Sequence, residues 1–430
     1  MTGHANSQRS LLRVATAGSV DDGKSTLIGR LLHDTKTLMD DQLAAVEEAS
    51  ERRGDVYTNL ALLTDGLRAE REQGITIDVA YRFFATPARS FIVADTPGHA
   101  QYTRNMVTGA STSDVAVVLV DARNGVVEQS RRHAYISALL GLTRVVLAVN
   151  KMDLVDWDEE VFAIVAKEFT EYLGGLPFAV EVNAVPVSAL NGDNVVDSSL
   201  NSDWYSGPTL LSLLETIDVN HDHDLADLGA RLSVQWVIRP ISAEHHDYRG
   251  YAGRLTGGAL RPGDEVTVLP SNRRTTVLAI DTYEGAAAHA IPGQAITIRL
   301  TDDVDVSRGD VIAAANGGGP APSVGSLVEA DVCWMIDRPL LAGESYLIKH
   351  GTRTARVVVD ELVHRLDVNT LEPAPAPVRL DLNDLGRVQL RVGSPLVGDP
   401  YEVSRATGRF VLIDERSNAT AAAGMIRSIS

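Results

Sequence analysis

The segment Gly18-Ser19-Val20-Asp21-Asp22-Gly23-Lys24-Ser25 constrains this chain more than any other feature. It follows the short apolar run 11–17 (LLRVATA) and opens the apolar-periodic stretch 25–33. Strand, glycine-rich loop, helix is the setting in which the spacing G-x4-G-K-S acts as a phosphate cradle. The glycines let the backbone wrap closely, and successive N–H groups converge into an anion nest. The helix N-terminus adds partial positive charge. Lys24 is expected to bridge the outer phosphates of a nucleotide, and the Ser25 hydroxyl to ligate Mg2+, with Thr26 beside it completing the cradle.

Three more motifs follow in order, each after an apolar run. Asp95-Thr96-Pro97-Gly98-His99 ends the run 91–94. Its aspartate suits a magnesium-bound water, and Gly98, lacking Cβ, can bring its N–H close to a γ-phosphate. Asn150-Lys151-Met152-Asp153 ends the run 145–149. The Asp153 carboxylate can accept from guanine N1–H and the exocyclic amine, donors that adenine lacks there, so adenine would leave a buried acceptor unpaired. The Lys151 stem is expected to pack over the base, and Asn150 to tie this loop to the first motif. Ser188-Ala189-Leu190 would supply a backbone N–H to guanine O6. Thr76, inside residues 71–77 (REQGITI), is placed to close on Mg2+ and γ-phosphate and to release after hydrolysis. His99 stands where a water-orienting side chain belongs.

Each motif has a plainer reading when taken alone: a β-turn for DTPG, a charged loop for NKMD, an edge-strand residue for Thr76, a loop histidine for His99. Their order makes them one guanine-nucleotide site. Lys24, Thr76 and His99 are its catalytic candidates. Ser25, Thr76 and Asp95 (through water) are its Mg2+ candidates, and GTP or GDP is its ligand. His221 and His223, and the pair His245-His246, have no further ligand cluster nearby and read as solvated residues.

The β-branched runs 91–94, 115–120 and 145–149 alternate with helical stretches, which indicates a parallel sheet covered on both faces. The cadence changes near residue 220. After a polar linker, 220–229, come short alternating strands separated by turns such as Arg261-Pro262-Gly263-Asp264 and Ile291-Pro292-Gly293-Gln294. That is the pattern of β-barrels. The loop 316–322 (NGGGPAP) marks another boundary, and EPAPAP (372–377) interrupts the last stretch. The expected organisation is multi-domain: an α/β P-loop domain, 1–219, then two all-β barrels, 230–316 and 323–430. No internal repeat is visible.

At 430 residues the chain exceeds one ordinary domain. No apolar run reaches the ~18 residues of a membrane span. The first residues show no basic, apolar and cleavage-site succession of a secretory signal. A single cysteine, Cys333 in an apolar run, permits no intrachain disulfide and fits a reducing cytoplasm as a buried thiol. With 39 basic and 57 acidic residues the net charge is −18, which disfavours non-specific nucleic-acid binding while leaving a local basic patch open.

In its order of G domain, barrel, barrel, the whole chain resembles the translation-factor GTPases. Within them it is most similar to the GTPase subunit of bacterial sulfate adenylyltransferase. The carrying stretches are 18–26 (GSVDDGKST), 63–84 (LTDGLRAEREQGITIDVAYRFF), 95–106 (DTPGHAQYTRNM), 120–133 (VDARNGVVEQSRRH), 307–310 (SRGD) and 410–425 (FVLIDERSNATAAAGM). The resemblance implies GTP hydrolysis by this chain and a smaller partner subunit that makes adenosine 5′-phosphosulfate and pyrophosphate from ATP and sulfate. The adenylyl-transfer residues would then lie mostly in the partner. Some members are fused to an adenylylsulfate kinase; these residues hold no second P-loop, so kinase activity is not expected of them. Two other readings stand beside this one: a tRNA-delivering elongation factor, and a scaffold whose nucleotide only stabilises the fold. The intact Lys24, Thr76, Asp95 and His99 argue against the scaffold.

Overall fold

The structure, a computed structural model, describes residues 10–37, 44, 46, 48, 50, 58, 60, 76, 78–177, 179–218, 228–240, 248–314 and 319–430. The expectations for His221, His223, His245 and His246, for linker residues 220–227 and for the residues flanking Thr76 at 71–75 and 77 lie outside the described residues. Backbone contacts divide the chain into two compact units, Met1–Val219 with Val368–Glu372, and Asn220–Asp367 with Pro373–Ser430.

In the first unit β1 (Ser10–Gly18), β2 (Ala80–Ala85), β3 (Arg89–Asp95), β4 (Val115–Asp121), β5 (Arg144–Asn150) and β6 (Glu181–Pro186) make one sheet, ordered β2-β3-β1-β4-β5-β6. Only β2 runs antiparallel to its neighbour. All of β4 (VAVVLVD) is buried, as is β5 after its first residue. A strand covered on both faces has no polar side, which is why these strands read as unbroken apolar runs. The cover comes from α1 (Lys24–Asp34), α2 (Thr103–Ala110), α3 (Glu128–Leu139), α4 (Glu159–Gly174) and α5 (Leu210–Thr216). On α1, Leu27, Ile28, Leu31 and Leu32 recur at helical spacing and pack with Leu12, Val14, Phe91, Val93 and Leu119 of the sheet.

Strand order reverses at β1: the chain goes out to β3 on one side and returns to β4 on the other. Such a switch point opens a crevice beyond the carboxyl ends of the strands, where ligands bind in open α/β sheets. Gly18, Asp95, Asp121 and Asn150 are the last residues of β1, β3, β4 and β5. The sheet therefore delivers the sequence motifs to one edge.

The second unit holds two closed rings of six antiparallel strands. The first comprises β7 (Arg231–Ile238), β8 (Gly250–Thr256), β9 (Glu265–Leu269), β10 (Arg273–Thr282), β12 (Ala295–Leu300) and β13 (Val311–Ala314), with β11 (Gly285–Ala287) added on β10. The second comprises β14 (Ser323–Trp334), β15 (Ser345–His350), β16 (Arg353–Leu366), β18 (Leu385–Gly398), β19 (Arg409–Ile413) and β20 (Thr420–Ile429), with β17 (Pro373–Pro375) added on β16. Pairing of β9 with β10, and of β15 with β16, closes each ring. Alternate residues of β12 (Ile296, Ile298, Leu300) and of β15 (Tyr346, Ile348) fill the two interiors. Cys333 is buried in β14.

One turn recurs through both barrels. In Arg261–Asp264 the Asp264 N–H donates to Arg261 O at 3.1 Å, the Asp264 carboxylate accepts from Arg261 N–H at 2.7 Å, and Gly263 has φ 94°. Ser307–Asp310 and Asp381–Asp384 repeat this chemistry, with Gly309 at φ 98° and Asn383 at φ 69°; Gln294 caps Ile291 in the same way. The short bridges Leu260–Ala290 and Leu340–Leu380 occupy equivalent places in the two rings. What repeats is turn geometry and the positive-φ residue, not side-chain identity, so the linear sequence shows no period.

Candidate nucleotide site

The loop after β1 turns on backbone that side chains rarely adopt. Asp21 has φ 64° and Gly23 φ 92°. A Cβ at Gly23 would lie 2.5 Å from Asn150 Nδ2, so the glycine is required by contact as well as by conformation. Lys24 is buried at the start of α1, and its Nζ donates to Gly18 O at 3.0 Å and Ser19 O at 2.7 Å. Burial pushes its ammonium below the usual lysine range, opposed by Asp95, Asp22 and Asp21. Gly98 comes so close that a Cβ there would sit 2.5 Å from Lys24 Nζ. The first two motifs are therefore in contact around the lysine. Val20 and Asp21 remain exposed at the loop tip, while Thr26 and Ser19 are half-buried.

Ser25 Oγ donates to Asp95 Oδ2 at 3.2 Å and lies 3.5 Å from Thr76 Oγ1. Three oxygen side chains separated by 51 and 70 positions along the chain thus meet at one point. His99 is half-buried, its ring edge-on to Tyr102 at 6.2 Å. Thr96 turns the other way: it is fully buried and donates to Thr16 O at 2.5 Å, fastening β3 to β1. Pro97 is buried as well.

The segments 150–153 and 188–190, expected on the base side, are joined to the loop by Asn150. Its Nδ2 donates to Asp22 O at 2.7 Å and its Oδ1 accepts from Ala189 N at 2.9 Å. Lys151 has φ 64°, and Asp153 lies half-buried in the short helical turn Met152–Val155. Met152 is fully buried, so its side chain belongs to the core and only its backbone borders the site. In Ser188-Ala189-Leu190 the first two N–H groups are taken by Asp193 O and Asn150, and Arg30 of α1 donates to the carbonyls of Ala189 and Leu190.

Three residues here, Asp121, Arg123 and His133, escaped the motif reading, and a fourth, Asp22, was read only as part of its loop. Asp22 accepts from Ser19 N–H at 2.5 Å inside the loop, and burial raises its carboxyl to about 6 despite Lys24. His133 of α3 is fully buried and its Nδ1 accepts from Gly18 N–H at 3.1 Å; burial beside Lys24 lowers it to about 3, which keeps it neutral. Asp121 and Arg123 pair beside Lys151. Asp22 was legible only as part of the P-loop. Asp121, Arg123 and His133 carry no signal beyond their place in VDARNGVVEQSRRH.

A glycine-framed loop around a buried lysine, a hydroxyl–carboxylate cluster and an asparagine that ties two further loops to them, at the switch point of a parallel sheet, define a P-loop GTPase of the elongation-factor class. Residues 9–222 match the family model of the elongation factor Tu GTP binding domain, and residues 327–427 match that of GTP-eEF1A C-terminal domain-like proteins. The chain is 55% identical over 417 residues to the bifunctional enzyme CysN/CysC of Mycobacterium tuberculosis, covering 97% of this chain and 67% of that one. It is 50% identical over 420 residues to sulfate adenylyltransferase subunit 1 of Tolumonas auensis, covering 97% and 87%. Sup35 complexed with GMPPNP aligns with a TM-score of 0.44 at 23% identity, over 98% of this chain and 95% of that one. The chain belongs to the family of sulfate adenylyltransferase subunit 1.

Proposed function

We propose that this chain is the GTP-hydrolysing subunit of a cytoplasmic sulfate adenylyltransferase, with residues 1–219 as its GTPase domain and residues 230–316 and 323–430 as its barrels. A smaller partner subunit would form adenosine 5′-phosphosulfate and pyrophosphate from ATP and sulfate, an uphill step driven by GTP hydrolysis here. The observation that carries the reading is the convergence of Lys24, Ser25, Thr76 and Asp95 in a chain whose relatives bear that enzyme's name. That kinship favours sulfate activation over tRNA delivery.

In this reading Lys24 gives up its two carbonyl partners to bind the β- and γ-phosphates. The Gly98 N–H approaches the γ-phosphate, and His99 orients the attacking water. The donor set of two hydroxyls and one carboxylate fits a hard divalent cation such as Mg2+, which prefers oxygen ligands and keeps several waters. Ser25 and Thr76 would hold it directly and Asp95 through water; bound there, it would neutralise phosphate charge. Asp153 would read guanine, with Lys151 over the base and the Leu190 N–H toward O6. GTPases of this kind gain rate when a partner completes charge stabilisation.

The test is steady-state GTP hydrolysis by the purified chain with and without the small adenylyltransferase subunit, ATP and sulfate. Stimulation that needs subunit and substrates together, with pyrophosphate released in step, is the expected result. Hydrolysis indifferent to that subunit and raised by ribosomes or charged tRNA would return the protein to the translation factors.

A further inference from the structure

Asp121 lies opposite Asn150 in the register of β4 and β5, beside the base-side motif. Its side chain is 2% exposed. Arg123 grips it twice, from Nε to Oδ1 at 3.0 Å and from Nη2 to Oδ2 at 2.7 Å, and the Arg123 N–H adds a third bond at 3.0 Å. Lys151 Nζ completes the set at 2.8 Å from Oδ2. Burial works against the Asp121 charge, but the bonds from Arg123 and Lys151 outweigh it and hold the carboxyl below its usual range. Arg123 also feels the Asp153 carboxylate. Charges therefore alternate through Lys151, Asp121, Arg123 and Asp153.

A lysine stem has four rotors, and an unrestrained ammonium samples many positions. Here a buried carboxylate on the neighbouring strand fixes it, and a bidentate arginine fixes the carboxylate in turn. We propose that Asp121 and Arg123 form a clamp that positions Lys151, so that Asp121 sets guanine-nucleotide affinity without touching the nucleotide. The proposal rests on the reading of Lys151 and Asp153 as base-side groups. Asp121 is a positioning residue: without its charge, Lys151 loses its anchor and Arg123 its link to the site.

Binding of a fluorescent mant-GDP to the full chain tests this in a double-mutant cycle. Asp121→Asn is expected to weaken binding about tenfold, the scale of a lost hydrogen bond to a charged group, chiefly through faster release. KM for GTP should rise by the same factor while kcat moves far less. In a Lys151→Ala background the same change should cost under about twofold, because the anchored group is gone. A full loss that persists in that background would make Asp121 structural and overturn the clamp. So would unchanged affinity in Asp121→Asn when Lys151→Ala alone weakens binding. If Lys151→Ala itself binds normally, the base-side reading fails and the clamp with it. Should Asp121→Asn not fold, Arg123→Gln, at a side chain 47% exposed, carries the same cycle with a smaller expected loss.

Discussion

At the scale of single residues the phosphate loop holds a contradiction: a buried acid beside a site for anions. Asp22 is 4% exposed, and burial raises its carboxyl from an ordinary 3.8 to about 6. The folded chain thus binds the proton more tightly than the unfolded chain. Asp22's contribution to stability is fully present below about pH 4 and is lost as pH rises through about 6. Asparagine keeps an acceptor for the Ser19 N–H without the charge. Asp22→Asn should therefore stabilise the nucleotide-free chain at pH 7, by up to roughly 3 kcal/mol, and the gain should vanish toward pH 4. Thermal unfolding at the two pH values checks this; equal gains at both would show that Asp22 is not a strained ion. The motif showed that this position faces a phosphate loop. It did not show the burial, because a carboxylate's depth depends on what packs over it.

At the scale of elements, the barrel turns separate two reasons for glycine. Gly263 has φ 94° and open space where a Cβ would go, so Gly263→Ala carries a conformational penalty alone, about 1–2 kcal/mol. Gly253 on β8 has an ordinary backbone, but its Cβ would lie 2.3 Å from Ser233 O, so Gly253→Ala must part β7 from β8. Denaturant unfolding should show a modest loss for the first variant and a clearly larger one for the second. A reversed order would refute the assignment of crowding to Gly253. The turn at Arg261–Asp264 was legible from Pro-Gly-Asp; the crowding at Gly253 was not, since nothing beside it in sequence announces the carbonyl of the next strand.

At the scale of the molecule, the two barrels share one unit and a buried ion pair between them. Arg231 on β7 meets Asp399 through Nε at 3.0 Å and Nη2 at 3.2 Å, both side chains 2% exposed, and Thr407 donates to the same carboxylate at 2.6 Å. Leu269, Val311, Ala313 and Val397 pack as a small apolar cluster joining strands of both rings. Removing one partner strands a desolvated charge, so Asp399→Ala should cost about 3–5 kcal/mol, while Arg231→Met with Asp399→Leu should cost much less than the two single changes summed. Unfolding of the three variants measures that coupling; strict additivity would mean that the pair contributes nothing as a pair.

The sequence by itself determined the order of strand, loop and helix, the four motifs and the change to barrel cadence. These are written in contiguous residues, where spacing alone fixes what the backbone can do. Only the tertiary structure decided which side chains those motifs use. Thr96 and Met152 turn into the core although they stand inside motifs, and Asp121, Arg123 and His133 enter the site although they stand outside them. Arg231 and Asp399 find each other across 168 positions. Such partners are chosen by sheet register and barrel closure, which act between segments distant in sequence and leave no local pattern to read.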